Sequence, residues 1–157
     1  MKNTKEAFYW IVDILRMKNI PFHIAGGLAA KVYGAKRKLA DIDIDVPDEM
    51  FERISSNVKD YIIYGPKQYK DDSWDLLLMT LNYKGQEIDI AGAYKAKLFN
   101  REKGEWELAK TDFSKDEQHT IFGFMVSVIN KKELIEYKSK LKREVDIQDI
   151  SEITNVL

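Results

Sequence analysis

The stretch IAGGLAAKVYGAKRKLADIDIDV, residues 24–46, sets a tight glycine turn close to a row of carboxylates. Asp41, Asp43 and Asp45 alternate with Ile42, Ile44 and Val46, the period-two pattern of a half-buried strand. The three acids then share one face, about 6–7 Å apart in successive pairs, while the aliphatic residues anchor the other face in a core. Carboxylates held this close repel one another and are costly to desolvate, so the pattern calls for a cation among them. Mg²⁺ takes one or two carboxylates together with phosphate oxygens, a demand that Asp41 and Asp43 meet. Upstream, the apolar run Phe22–Ala25 reads as a strand broken by Gly26-Gly27, and Leu28–Tyr33 as a short helix stopped by Gly34. Glycine lets backbone N–H groups at such a strand-to-helix turn approach an anion closely.

Two blander readings compete. A solvated edge-strand face accounts for any isolated D-x-D. A calcium loop is suggested by Asp41, Asp43, Asp45 and Glu52 at loop positions one, three, five and twelve. Val46 stands where that loop needs glycine, Pro47 follows it, and no strong amphipathic helix ends at Ala40.

Working outward, Glu6–Met17 repeats apolar residues at helical spacing, with Asn3 or Thr4 as cap. Pro47-Asp48 starts a helix that carries Met50, Phe51 and Ile54 on one face. Tyr61–Tyr64 reads as a strand closed by Gly65-Pro66. Trp74–Asn82 and Gln86–Ala91 form a strand pair across Tyr83-Lys84-Gly85. Trp106–Ala109 and Phe124–Val128 suggest further strands, Lys110–His119 a mobile loop, and Asn130–Leu141 and Asp146–Leu157 two terminal helices. The expectation is an α/β (α+β) fold over one domain, residues 1–157, with terminal helices from about residue 130.

The 157 residues are 45% hydrophobic and 32% charged, enough for a core and against wholesale disorder. With 25 Lys and Arg against 26 Asp and Glu, no global field favours nucleic acid or a membrane surface. The absence of cysteine excludes disulfides, thiolate metal sites and a cysteine nucleophile. There is neither an apolar leader at the N-terminus nor a run of membrane-spanning length, so a cytoplasmic protein is expected.

Apolar strand, Gly-Gly, helical spacer, Arg37 and D-I-D-I, with thirteen residues between Gly27 and Asp41, together resemble the signature of the nucleotidyltransferase superfamily. The form is similar to the small bacterial members: lincosamide and aminoglycoside nucleotidyltransferases and minimal toxin-type ones. The resemblance covers about a quarter of the chain. It implies a mixed β-sheet with flanking helices and an NTP, ATP by expectation, held through Mg²⁺, with two ions in the active complex. Asp41 and Asp43 are the implied metal ligands, and Gly26 and Gly27 the implied phosphate contacts. A third acid is expected from a later strand. Glu87 and Asp89 in QEIDIAG are available, and Asp89, between Ile88 and Ile90, fits the apolar-Asp-apolar context better. Asp89 would bind metal or take the proton from an acceptor hydroxyl.

Arg37 occupies a place where relatives often carry arginine and is the implied nucleotide contact of a basic cluster with Lys31, Lys36 and Lys38. The segment LIEYKSKLKREVDIQDISEI resembles the tail of many members, with Lys138 as a further triphosphate contact. Arg143, Asp146 and Asp149 are read as salt bridges and the cap of the last helix. Asp45 is read as a strand-end acid, His23 as a buried hydrogen-bonded histidine, His119 as a loop residue without a metal partner. Trp10, Trp74 and Trp106 are core or interface residues, any one of which could stack on a base. The implied activity is transfer of a nucleoside monophosphate to a hydroxyl of a small molecule, tRNA or protein, with a homodimer as one way to complete an acceptor site. The alternative is a non-catalytic nucleotide- or metal-binding module, or a toxin–antitoxin component.

Overall fold

Asn3 accepts the Glu6 N–H at 3.1 Å and opens helix α1 (Thr4–Met17) in the computed structural model, which describes residues 2–155. The heptad-like face Ala7, Phe8, Ile11, Val12 and Leu15 is fully buried. Strand β1 (His23–Ala25) runs directly into α2 (Gly26–Val32), and β2 (Ile42–Val46) follows after an irregular basic segment. Asp41 therefore sits one residue before β2 rather than within it. Next come α3 (Phe51–Val58), β3 (Ile62–Lys70), β4 (Trp74–Tyr83), β5 (Gln86–Gly92), β6 (Lys97–Asn100) and β7 (Glu105–Leu108). The chain continues through β8 (Glu117–Ile121), β9 (Phe124–Val128), α4 (Lys131–Leu141) and α5 (Glu144–Thr154).

The strands form one mixed sheet in the order β7-β6-β4-β5-β2-β1-β9-β8, with β3 along the other edge of β4. β2 pairs antiparallel with β1 and parallel with β5. Ile42, Ile44 and Val46 of β2 and Ile88 and Ile90 of β5 are completely buried in the core that also takes α1, so the alternate residues of both strands face the opposite side. That alternation separates the hydrophobic and chemical faces of the sheet.

Four stretches depart from the sequence reading. β3 does not close at Gly65-Pro66 but passes through it to Lys70, shifting register between Ile62 and Lys67. Gly65 makes the passage possible: its φ is +71° and a Cβ there would lie 2.2 Å from the Leu78 carbonyl oxygen. β6 carries no alternating pattern of its own and forms because Leu98 and Lys97 find partners on both β4 and β7. Part of the expected loop Lys110–His119 is the start of β8, whose unpatterned sequence is held by pairing to β9. The last helix begins at Glu144, two residues before the expected Asp146; Val156 and Leu157 lie outside the described residues. Among the described residues no helix is long and apolar enough to cross a membrane.

Candidate active site

Parallel pairing of β2 and β5 aligns Asp43 with Asp89, so two carboxylates from distant parts of the chain become cross-strand neighbours on the face turned away from the core. The row extends on both sides: Ala25 lies opposite Asp43, Thr80 opposite Asp89, and Tyr64 opposite Thr80. Thr80 donates its hydroxyl to Asp89 Oδ1 at 2.7 Å and so orients that carboxyl group. Sequence reading passed over Thr80, yet the signal was present. A hairpin turn that pairs Tyr83 with Gln86 necessarily pairs Thr80 with Asp89.

Burial is the main cause that raises the Asp43 carboxyl to about 7, and the charges of Asp89, Asp41 and Asp45 add to it, against a hydrogen bond from the Gly27 N–H. Burial also raises Asp89; the Thr80 hydroxyl opposes this, and Asp41 and Glu87 reinforce it. These acids thus carry mutual repulsion that a cation would relieve. Among the described residues, no three His, Asp or Glu side chains are already drawn together as an ion cage. The donor chemistry nonetheless fits Mg²⁺, because an all-oxygen set of Asp41, Asp43 and Asp89 leaves the remaining positions to water and phosphate.

The glycine turn lies against this row. Gly26 has a φ of +57° and opens α2, and its N–H donates to the Tyr137 hydroxyl at 3.0 Å. The Gly27 N–H faces Asp43, and a Cβ at Gly27 would stand 3.0 Å from the Arg37 guanidinium. Both glycines therefore permit close approach, here of Asp43 and Arg37. Arg37 binds Asp149 through two nitrogens, at 2.8 and 3.1 Å. Lys138, almost fully buried, reaches Asp149 at 3.0 Å and Asp146 at 3.2 Å. Arg143 grips Asp146 at 2.7 and 3.1 Å, and Asp146 caps α5 through the Arg143 N–H. Three cations thus meet two buried carboxylates beside the acidic row. Burial alone would raise Asp149, but Arg37 and Lys138 hold it below the ordinary carboxylate range.

All of this borders one cavity of about 1140 Å³, lined by Gly26, Gly27, Arg37, Asp41, Asp43, Asp89, Tyr137 and Lys138 among others. Trp74 lines it too, with its ring 5.7 Å from that of Tyr137. Trp10 instead stacks on Tyr83, and Trp106 packs on Phe99. No sequence pattern marked Tyr137, which reaches the glycine turn only because α4 folds back over the sheet.

Asp45 and His23 form a separate cluster. His23 is fully buried, with Nε2 2.8 Å from Asp45 and Nδ1 2.8 Å from Asp116. Burial would lower this imidazole, but the two carboxylates outweigh it and raise it to about 9. Among the described residues, His119 contacts Glu117 alone of the acids, at 3.1 Å.

No family model and no curated protein matches the chain by sequence. Solved structures do match it. A protein from Thermotoga maritima, described as a presumed nucleotidyltransferase, superposes with a TM-score of 0.73 at 18% identity, over 96% of this chain and 91% of that one. The lincosamide antibiotic adenylyltransferase LnuA with lincomycin bound gives 0.65 at 18% identity, over 99% and 98%. ANT(2'')-Ia in complex with adenylyl-2''-tobramycin gives 0.62 at 18% identity, over 97% and 88%. The chain has the nucleotidyltransferase fold.

Proposed function

We propose that the protein is a nucleotidyltransferase that moves a nucleoside monophosphate from an NTP, ATP in this reading, to an acceptor hydroxyl. The observation that carries this is the alignment of Asp43 with Asp89 beside Asp41 and a glycine turn, inside a large cavity of this fold. In the reaction the acceptor oxygen bonds to the α-phosphorus, the bond from that phosphorus to the bridging oxygen breaks, and pyrophosphate leaves. Asp89, its carboxyl raised by burial and held by Thr80, takes the acceptor proton. Asp41 and Asp43, with Asp89, would hold Mg²⁺, which when bound neutralises the phosphate charge that develops in such transfers. Gly26 and Gly27 let Asp43 and Arg37 close in on the turn that borders the cavity, and Arg37 and Lys138 supply positive potential beside it. LnuA, matched over nearly its whole length, binds lincomycin, which supports a small-molecule acceptor over tRNA or protein.

The second reading is a non-catalytic nucleotide- or metal-binding module of the same fold. It draws on the engaged state of the turn, with the Gly26 N–H already taken by Tyr137. Incubation with α-labelled ATP, Mg²⁺ and cell extract separates the two. Transfer of label by the parent and none by Asp43→Asn is expected. Binding of Mg-ATP without any transfer would favour the module.

A further inference from the structure

The cavity has a second half that the nucleotide chemistry does not use. On β4 the even-numbered residues Trp74, Leu76, Leu78 and Thr80 all face it, while Met79 and Leu81 are buried in the core on the other side. Pairing broadens this line into a floor: Leu98 lies opposite Trp74, Tyr69 opposite Leu76, and Ala91 opposite Leu78. The rings of Tyr64 and Tyr69 meet edge to face, 6.1 Å apart, along its border. The floor ends at Thr80, whose hydroxyl holds Asp89. In the strand order it lies on the side of Asp89 away from Asp43 and the glycine turn. A molecule resting there meets the proposed base from the side opposite the phosphate-binding elements.

The charges around the floor limit what it can take. Asp71 already accepts the Tyr69 hydroxyl and the N–H groups of Ser73 and Trp74, each at 2.7 Å. Glu107 is bound to Lys140 at 2.7 Å and to Asn100 at 3.3 Å. Of the cavity-lining acids between Ile62 and Leu108, the Glu87 carboxylate alone has neither an ion pair nor a hydrogen bond among the described residues. A polyamine needs several free carboxylates and a wet wall, whereas this floor offers aliphatic and aromatic surface.

We infer that the acceptor is a hydroxyl on a small, largely apolar molecule with at most one charge, seated on Trp74, Leu76 and Leu78. The inference rests on the nucleotidyl-transfer reading. It can be tested on the whole protein by ligand-observed saturation-transfer NMR with n-hexyl β-D-glucoside, an uncharged polyol head on an apolar chain. Glucose and tobramycin, the latter a hydroxyl-rich polyamine, serve as comparison probes. Saturable binding of the glucoside, weakened about tenfold by Leu78→Glu as a charge enters apolar surface, is expected, with glucose and tobramycin binding less well. Leu78→Thr, a milder change, is expected to weaken it by a smaller factor should Leu78→Glu fail to fold. Equal glucoside binding by parent and variants, or tighter binding of tobramycin, would overturn the inference. So would displacement of the glucoside by Mg-ATP, because the floor would then belong to the nucleobase. Mg-ATP affinity, measured separately by calorimetry, reports on the underlying reading. Its absence alongside glucoside binding would refute nucleotide transfer without touching the apolar subsite.

Discussion

Gly26 and Asp43 occupy nearly the same space: a Cβ on Gly26 would stand 2.1 Å from Asp43 Oδ2. The glycine turn and the acidic strand, written seventeen residues apart in the sequence, are thus one unit. Gly26→Ala would place a side chain at φ +57°, at a cost of about 1–2 kcal/mol, and would push the Asp43 carboxyl out of line with Asp89. The variant is expected to melt a few degrees lower and to lose thermal stabilisation by Mg-ATP. Retained stabilisation would mean that Asp43 can move without consequence.

Asp43 should cost the metal-free protein stability as pH rises. Its folded-state carboxyl is raised from 3.8 to about 7, so between those values the folded chain holds a proton that the unfolded chain has released. Stability therefore falls across that window and remains reduced above it. In the presence of chelator at pH 8, Asp43→Asn is expected to be more stable than the parent, on the order of 2 kcal/mol. The gap should narrow at pH 5, while label transfer is lost at both. Denaturant unfolding at the two pH values checks this, and a destabilised variant at pH 8 would argue against uncompensated repulsion.

His23 gives a slope of the same sign at higher pH. Its folded value is raised from 6.5 to about 9, so the stabilisation is complete below pH 6.5, declines above it, and is gone once the pH exceeds about 9. The contribution is about 3 kcal/mol. His23→Gln should remove this segment of the pH–stability curve. The same slope in the variant would assign it to other groups.

Lys138→Met removes a buried cation from between Asp146 and Asp149 and leaves each carboxylate with a single arginine. Loss of one partner from such a network costs about 3 kcal/mol, read as a lower denaturation midpoint with an unchanged slope. A neutral outcome would show that Arg37 and Arg143 alone satisfy both acids.

Much of the site could be read along the chain wherever its geometry is local. The alternation Ile42–Val46 assigns faces within one strand, and the Lys84-Gly85 turn fixes its hairpin register. The carboxylate row and the roles of Arg143, Asp146 and Asp149 as salt bridges and cap follow from such short-range rules, whereas the candidacy of Asp89 came from the family resemblance. The strands β6 and β8 were not legible, because their residues lack the period-two pattern and adopt it only through partners.

Residues 24–46 by themselves determined which chemistry could be assembled: carboxylates on one face, a turn able to adopt positive φ, and a basic segment between them. Tertiary structure decided which groups meet. Parallel pairing brought Asp89 to Asp43 rather than to Asp41 or Asp45, and β1 gave Asp45 to His23. The return of α4 over the sheet placed Tyr137 on Gly26. The physical reason is range. Dihedral preferences and residue periodicity act over a few positions, whereas strand register and helix docking are settled by burying the whole core at once.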